Sequence, residues 1–126
     1  MKALVDSSIV IDHLRSYERT KDTKFTVIYQ ECETIYFSLI TIAEIFSGLS
    51  AGKMKKEIKD IFSLGNIIEV NQSLMEQAGC IRRETEIHLI DAVISACALK
   101  LDLPVATLNM KDFAKVPKLK LYKVSR

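Results

Sequence analysis

Short apolar stretches alternate along the chain with longer segments in which apolar residues recur at helical spacing. The apolar stretches predict four buried strands, at residues 2–5, 35–38, 67–70 and 105–107. The periodic segments predict helices over 9–14, 22–32, 41–51, 53–64, 72–86 and 89–101. Residues 119–124 alternate between apolar and polar side chains, which predicts an edge strand. Strands separated by helices form parallel sheets covered on both faces, so we expect an α/β fold: one three-layer α/β/α domain over residues 1–126 with four or five parallel strands.

The composition fits one folded domain and excludes several other classes. The chain has 126 residues, of which 48% are hydrophobic, and only four glycines and two prolines. No apolar run approaches the ~18–20 residues that a membrane-spanning helix needs, and an acid at position 6 argues against a signal peptide. Three widely spaced cysteines without a C-x-x-C pair argue against a disulfide framework and a zinc site. We therefore expect a cytoplasmic protein without a membrane segment.

The positive charge is concentrated at the carboxyl end. Residues 110–126 contain six basic residues and one acidic residue, whereas the rest of the chain is mildly acidic. Such a segment can contact a phosphate backbone or an acidic protein, or it can serve only to keep the protein soluble.

Four acids follow predicted strands or begin predicted helices. Asp6 comes directly after the first strand, and Asp112 comes shortly after the fourth. Asp91 lies near the start of the most apolar helix, and Glu44 lies three residues after Thr41. Each position has an ordinary alternative: a helix cap or turn for Asp6, a capping box for Glu44, a helix-dipole contact for Asp91 and a solvated loop for Asp112.

Together the four acids favour a metal site. Ligands of parallel α/β sheets bind beyond the carboxyl ends of the strands, where these side chains would converge. Converging carboxylates repel one another unless a cation offsets their charge, and oxygen ligands suit Mg²⁺ or Mn²⁺. Such a site is suited to metal-assisted hydrolysis of a phosphodiester.

Four segments in order resemble the motifs of PIN-domain proteins. They are 5–15 (VDSSIVIDHLR), 38–45 (SLITIAEI), 89–99 (LIDAVISACAL) and 104–113 (PVATLNMKDF). The resemblance covers essentially the whole chain, and it is greatest to the VapC-type toxins of toxin–antitoxin pairs. It implies a Mg²⁺-dependent endoribonuclease on a parallel α/β sheet.

The resemblance also implies roles for individual acids. Asp6, Glu44 and Asp91 match the three core acids of the family, as catalytic residues and metal ligands, and Asp6 and Asp91 match its direct ligands. Asp112 matches an acid found before a Phe in other members, and we prefer it as the fourth catalytic and metal-binding position.

Two polar residues are expected to support these acids. Asn109 stands where some relatives carry an acid, so it competes with Asp112 to complete the site. Ser7 matches a small hydroxyl position near the site. His13 and His88 are interpreted as structural or surface residues, because a metal-assisted hydrolysis does not require a histidine.

The resemblance further implies an RNA substrate, a small antitoxin as partner and a homodimer. Two alternatives within the family remain open: a nuclease of RNA maturation or decay without an antitoxin, and a non-catalytic PIN-like interaction module. A phospho-acceptor receiver domain has a similar length and βα pattern. However, it needs an acid pair after the first strand and an Asp after a middle strand, and residues 67–70 lead instead to Asn71-Gln72.

Overall fold

The computed structural model describes residues 1–16, 22–48 and 50–125. A four-stranded parallel sheet lies at the centre of the fold. The strands are β1 (Lys2–Val5), β2 (Thr34–Ser38), β3 (Asn66–Ile68) and β4 (Val105–Ala106). Their order across the sheet is β3-β2-β1-β4, and every neighbouring pair is parallel. The two central strands, β1 and β2, therefore end at the same edge of the sheet.

Helices cover both faces of this sheet. They are α1 (Ser7–Ser16), α2 (Lys24–Glu31), α3 (Leu39–Phe46), α4 (Lys55–Ser63), α5 (Gln72–Thr85), α6 (Leu89–Leu101) and α7 (Met110–Phe113). Apolar residues of α1, α2 and α4 form the core on one face, and those of α5 and α6 form the core on the other. The predicted three-layer α/β fold is confirmed. Within the described residues, no helix has the length and apolar character needed to cross a membrane.

Strand β1 is buried on both faces, which explains its unbroken apolar sequence. Ala3 and Val5 point into the core of α1 and α2, whereas Leu4 points into the core of α5 and α6. All three are fully buried. Because neither face of the strand reaches water, a polar side chain next to β1 in the sequence is expected beyond the end of the strand.

Several elements differ from the sequence-based prediction. Helix α3 begins at Leu39, directly after β2, and ends at Phe46, whereas the pattern predicts 41–51; residue 49 lies outside the described residues. The predicted edge strand at 119–124 is wrong, because this segment forms only one parallel bridge, between Leu121 and Val105. Short helix α7 lies where the sequence predicts no helix.

The basic carboxyl-terminal segment is part of the fold. Phe113, Val116 and Tyr122 are buried, and the Tyr122 hydroxyl donates a hydrogen bond of 2.7 Å to Glu31 on α2. Its lysines are exposed on the surface of this packed segment, so it does not extend from the fold as a free tail. Arg126, the last basic residue of the segment, lies outside the described residues.

Gly65 has no room for a side chain, because the chain passes very close to β2 there. A Cβ at this position would lie 2.8 Å from the Ile35 carbonyl oxygen and 2.9 Å from Phe37 Cε2. We expect Gly65→Ala to lower the free energy of unfolding by about 1–3 kcal/mol, as overpacking does. Urea unfolding of the purified protein measures it.

Gly79 provides the matched control. It lies in α5, and an added Cβ would meet nothing within 4 Å. Gly79→Ala should therefore raise the free energy of unfolding by about 0.5–1 kcal/mol, the usual gain for Gly to Ala in a helix. If Gly65→Ala were as stable as Gly79→Ala, the close approach to β2 would be wrong.

Candidate functional site

The four predicted acids lie on the side of the sheet where β1 and β2 end. Asp6 follows β1 directly, and Glu44 lies on α3, which begins at the end of β2. Asp91 is in the first turn of α6, and Asp112 is in the first turn of α7, shortly after β4. Their charges act on one another: Asp6 raises the pKa of both Glu44 and Asp91, and Asp112 raises that of Asp91. The structure therefore brings the four acids into one electrostatic group.

Asp6 is the most buried of the acids, with only 2% of its surface exposed. Its Oδ2 accepts hydrogen bonds from Ser8 Oγ at 2.8 Å and from Thr107 Oγ1 at 2.7 Å. Its Oδ1 is also buried but accepts no hydrogen bond. Burying an unpaired carboxylate oxygen is unfavourable, so this oxygen is a ready ligand for a cation.

Glu44 presents a second unpaired oxygen. Its Oε1 is buried without a hydrogen-bond partner, and the nearby Ser7 side chain lowers the pKa of this carboxyl, against the larger effects of burial and of Asp6 that raise it. Ser7, predicted as a supporting residue, thus lies beside Glu44. The capping-box alternative for Glu44 is wrong, because α3 begins at Leu39 and Thr41 lies within the helix with its own hydroxyl unpaired.

Burial and the repulsion between the acids raise two of their pKa values. Burial, followed by the charge of Asp6, raises the pKa of Glu44 to about 7. Burial and the same Asp6 charge raise the pKa of Asp91 to about 6, although the nearby His88 side chain opposes this rise. At neutral pH without a cation, Glu44 and Asp91 therefore retain part of their protons.

Asn109 and Asp112 both belong to the site. The Asn109 Nδ2 group donates hydrogen bonds to Asp91 Oδ2 at 3.3 Å and to Asp112 Oδ2 at 3.0 Å. The bond from Asn109 holds the pKa of Asp112 below its usual value, and Lys115 Nζ lies 3.6 Å from the other oxygen of Asp112. The structure therefore gives the two candidates complementary positions: Asn109 bridges the two aspartates, and Asp112 supplies a carboxylate.

The donor set fits a hard divalent cation that keeps part of its water shell. No three His, Cys, Asp or Glu side chains within 1–16, 22–48 and 50–125 are placed to hold a metal ion between them. Mg²⁺, however, is usually bound through one or two carboxylates and several waters. The unpaired Asp6 Oδ1 provides such a carboxylate oxygen, and the unpaired Glu44 Oε1 belongs to the same group of acids.

Ser8 and Thr107 are the polar contacts that sequence reasoning missed. The sequence places Ser8 in the segment 5–15 and Thr107 in the fourth strand without a predicted partner for either, yet both donate to Asp6. A hydroxyl residue at the carboxyl end of the fourth strand was the signal for Thr107. His13, by contrast, forms a hydrogen bond of 2.7 Å with Thr23 and packs against Phe25.

Comparison with known families gives one match over most of the chain. The model of the PIN domain family matches residues 3–119. A search of curated proteins finds no significant match to the sequence.

Several solved structures share the fold. A toxin–antitoxin complex from Klebsiella pneumoniae contains a chain that is 28% identical, with a TM-score of 0.77 over 97% of this chain and 99% of that chain. A chain of VapBC-1 from nontypeable Haemophilus influenzae is 20% identical, with a TM-score of 0.78 over 100% of this chain and 100% of that chain. DNA-bound VapBC from Salmonella typhimurium is 17% identical, with a TM-score of 0.80 and 97% of each chain covered.

Proposed function

The chain belongs to the PIN-domain family, a family of nucleases, and on this premise we propose that it is a Mg²⁺-dependent endoribonuclease, with Mn²⁺ as an alternative cation. The observation that carries the proposal is that one buried oxygen of Asp6 and one of Glu44 accept no hydrogen bond, within a group of mutually repelling acids. An RNA phosphate would be repelled by such a group unless a cation neutralised it. A cation at these acids would therefore both stabilise the site and admit the substrate.

Asp6 and Asp91 are the residues we assign to hold the cation, with Glu44 and Asp112 completing the acidic site. When bound, the cation supplies Lewis-acid polarisation of the phosphodiester and lowers the pKa of water at the site. Asn109 donates one hydrogen bond to Asp91 and one to Asp112, and so holds these two carboxylates in the same site.

Glu44 is the residue we assign to accept a proton from the attacking water. Its pKa of about 7 in the free protein falls when a neighbouring positive charge favours the ionised form. It is then ionised at neutral pH and able to take up a proton at its carboxylate. Ser7, which lies beside this side chain, favours its ionised form.

RNA cleavage by the purified protein should require the cation and Asp6. We expect cleavage to vanish in EDTA and to return with Mg²⁺ or Mn²⁺. Asp6→Asn preserves the shape of the side chain but removes its charge, and it should lower cleavage by at least ~100-fold, or ~2.7 kcal/mol of transition-state stabilisation. Cleavage rates on a labelled structured RNA measure both effects.

Asp102→Asn is the matched control for this experiment. Asp102 is exposed at the end of α6, pairs with Lys120 at 3.4 Å and has a left-handed backbone that Asn tolerates well. The control should cleave RNA at the wild-type rate. Cleavage that persisted in EDTA, or an Asp6→Asn protein as active as Asp102→Asn, would contradict the mechanism.

We further propose that the enzyme is the toxin of a toxin–antitoxin pair and forms a homodimer. The support is that structures matching 97% or more of this chain with TM-scores of 0.77 to 0.80 are a toxin–antitoxin complex and VapBC complexes. A small antitoxin is the partner that this likeness favours. Exposed apolar residues that begin α3 and α6, namely Leu39, Leu89 and Ile90, are compatible with a protein interface.

Expression of this chain alone should arrest bacterial growth, and co-expression of a neighbouring antitoxin gene should relieve the arrest. Because arrest would depend on RNA cleavage, Asp6→Asn should abolish it while Asp102→Asn should retain it. Optical density after induction measures the effect. Unimpaired growth with the wild-type chain would argue for a nuclease outside a toxin–antitoxin pair.

A further inference from the structure

We propose that Ser8 and Thr107 are positioning residues that direct the unpaired Oδ1 of Asp6 towards the divalent cation. This inference rests on the proposed function, because it concerns the same metal site. Neither residue is among the acids, and neither is assigned a part in holding the cation itself. They act through Asp6.

The first support is that both hydroxyls donate to the same carboxylate oxygen. Ser8 Oγ lies 2.8 Å and Thr107 Oγ1 lies 2.7 Å from Asp6 Oδ2, whereas Oδ1 receives nothing. Two donors on one oxygen fix the rotation of the carboxylate about its Cβ–Cγ bond. The other oxygen is then held in one direction, buried and without a partner among the described side chains.

The second support is that each hydroxyl is itself held by a backbone amide. Leu108 N donates to Ser8 Oγ at 3.0 Å, and Asn109 N donates to Thr107 Oγ1 at 2.9 Å. A hydroxyl has one hydrogen to donate and lone pairs to accept, so each oxygen here donates once to Asp6 and accepts once from the loop. The two hydroxyl oxygens also lie 3.2 Å apart, but a carboxylate oxygen can only accept, so the arrangement that gives Asp6 Oδ2 both of its short contacts directs both hydroxyl hydrogens to it.

The third support is that the same loop carries Asn109. Asp6 N donates to the Ala106 carbonyl oxygen at 2.9 Å, so the backbone of Asp6 is also joined to the end of β4. Asn109 then contacts Asp91 and Asp112 through its side chain. A continuous chain of hydrogen bonds thus connects Asp6 to the acids on α6 and α7, and Thr107 is its central member.

This arrangement has a direct consequence for the cation. Without the two donors, the Asp6 carboxylate can turn and satisfy Oδ1 elsewhere, and the oxygen offered to the cation is lost. Removing an outer hydrogen-bond partner of a metal ligand usually costs about 10- to 100-fold in metal affinity. We expect the Ser8 and Thr107 hydroxyls to have effects in this range.

The test is the dissociation constant of Mn²⁺, measured by isothermal titration calorimetry on the full chain without RNA. Thr107→Val retains the branched shape but removes the donor, and it should weaken Mn²⁺ binding by about tenfold or more. Ser8→Ala should act in the same direction. Thr107→Ser restores the hydroxyl and should bind Mn²⁺ close to the wild-type value.

Two controls separate metal positioning from general stability. Ser95→Ala removes another buried hydroxyl close to Asp91, one that bonds to the backbone oxygen of Asp91, and it should leave Mn²⁺ affinity unchanged. Thermal unfolding in EDTA verifies that each variant is folded. If Thr107→Val does not fold, Ser8→Ala, on the partly exposed surface of α1, decides the question alone.

The outcomes distinguish this inference from the proposed function. Weak Mn²⁺ binding in Thr107→Val and Ser8→Ala, with rescue by Thr107→Ser, supports it. Wild-type affinity in both variants, or equal losses in Thr107→Ser and Thr107→Val, overturns it while the metal site stands. Absence of Mn²⁺ binding to the wild-type protein, or undiminished binding in Asp6→Asn, overturns the metal site and this inference together.

Discussion

Burial of the Asp6 carboxylate at the end of a central strand is the constraint on which the rest of the site depends. A carboxylate that is 2% exposed and has one unpaired oxygen is unfavourable, and Glu44 and Asp91 lie close enough for its charge to raise their pKa values. Such a group destabilises a fold by desolvation and by repulsion between like charges. A divalent cation would remove both penalties, which is why an energetically costly arrangement of acids is interpreted here as functional.

The parallel sheet makes this arrangement possible. Strands β1 and β2 are covered on both faces, so the acids that follow them project from rigid, buried supports. Glu44 and Asp91 are carried by helices α3 and α6, and Asn109 ties Asp91 to Asp112. Four acids far apart in sequence are thus held in one group by the fold, with little freedom to move away from one another.

The sequence predicts the layers and the four strands, because these follow from local periodicity. It also predicts the positions of the acids, because ligands of parallel sheets bind beyond the carboxyl ends of the strands. Its errors have identifiable causes. Helix α3 begins at Leu39 without a side-chain cap, so a start signal based on Thr41 places its beginning two residues too late. The contact between Asp6 and Thr107 joins residues 101 positions apart, which no local pattern reveals. The predicted edge strand is wrong because the alternation of apolar and polar residues also fits a packed segment that forms a single bridge, at Leu121.

The central claim is that a cation displaces the protons retained by Glu44 and Asp91. Calorimetry in buffers of different ionisation enthalpy measures this proton release directly. With pKa values of about 7 for Glu44 and about 6 for Asp91, both groups are raised above their usual values and are partly protonated at pH 6.5. Mn²⁺ binding at that pH should release about one proton per ion, and the release should vanish near pH 8.5, where the acids are already ionised. A binding heat at pH 6.5 that does not depend on the buffer, or no binding at either pH, would contradict the account.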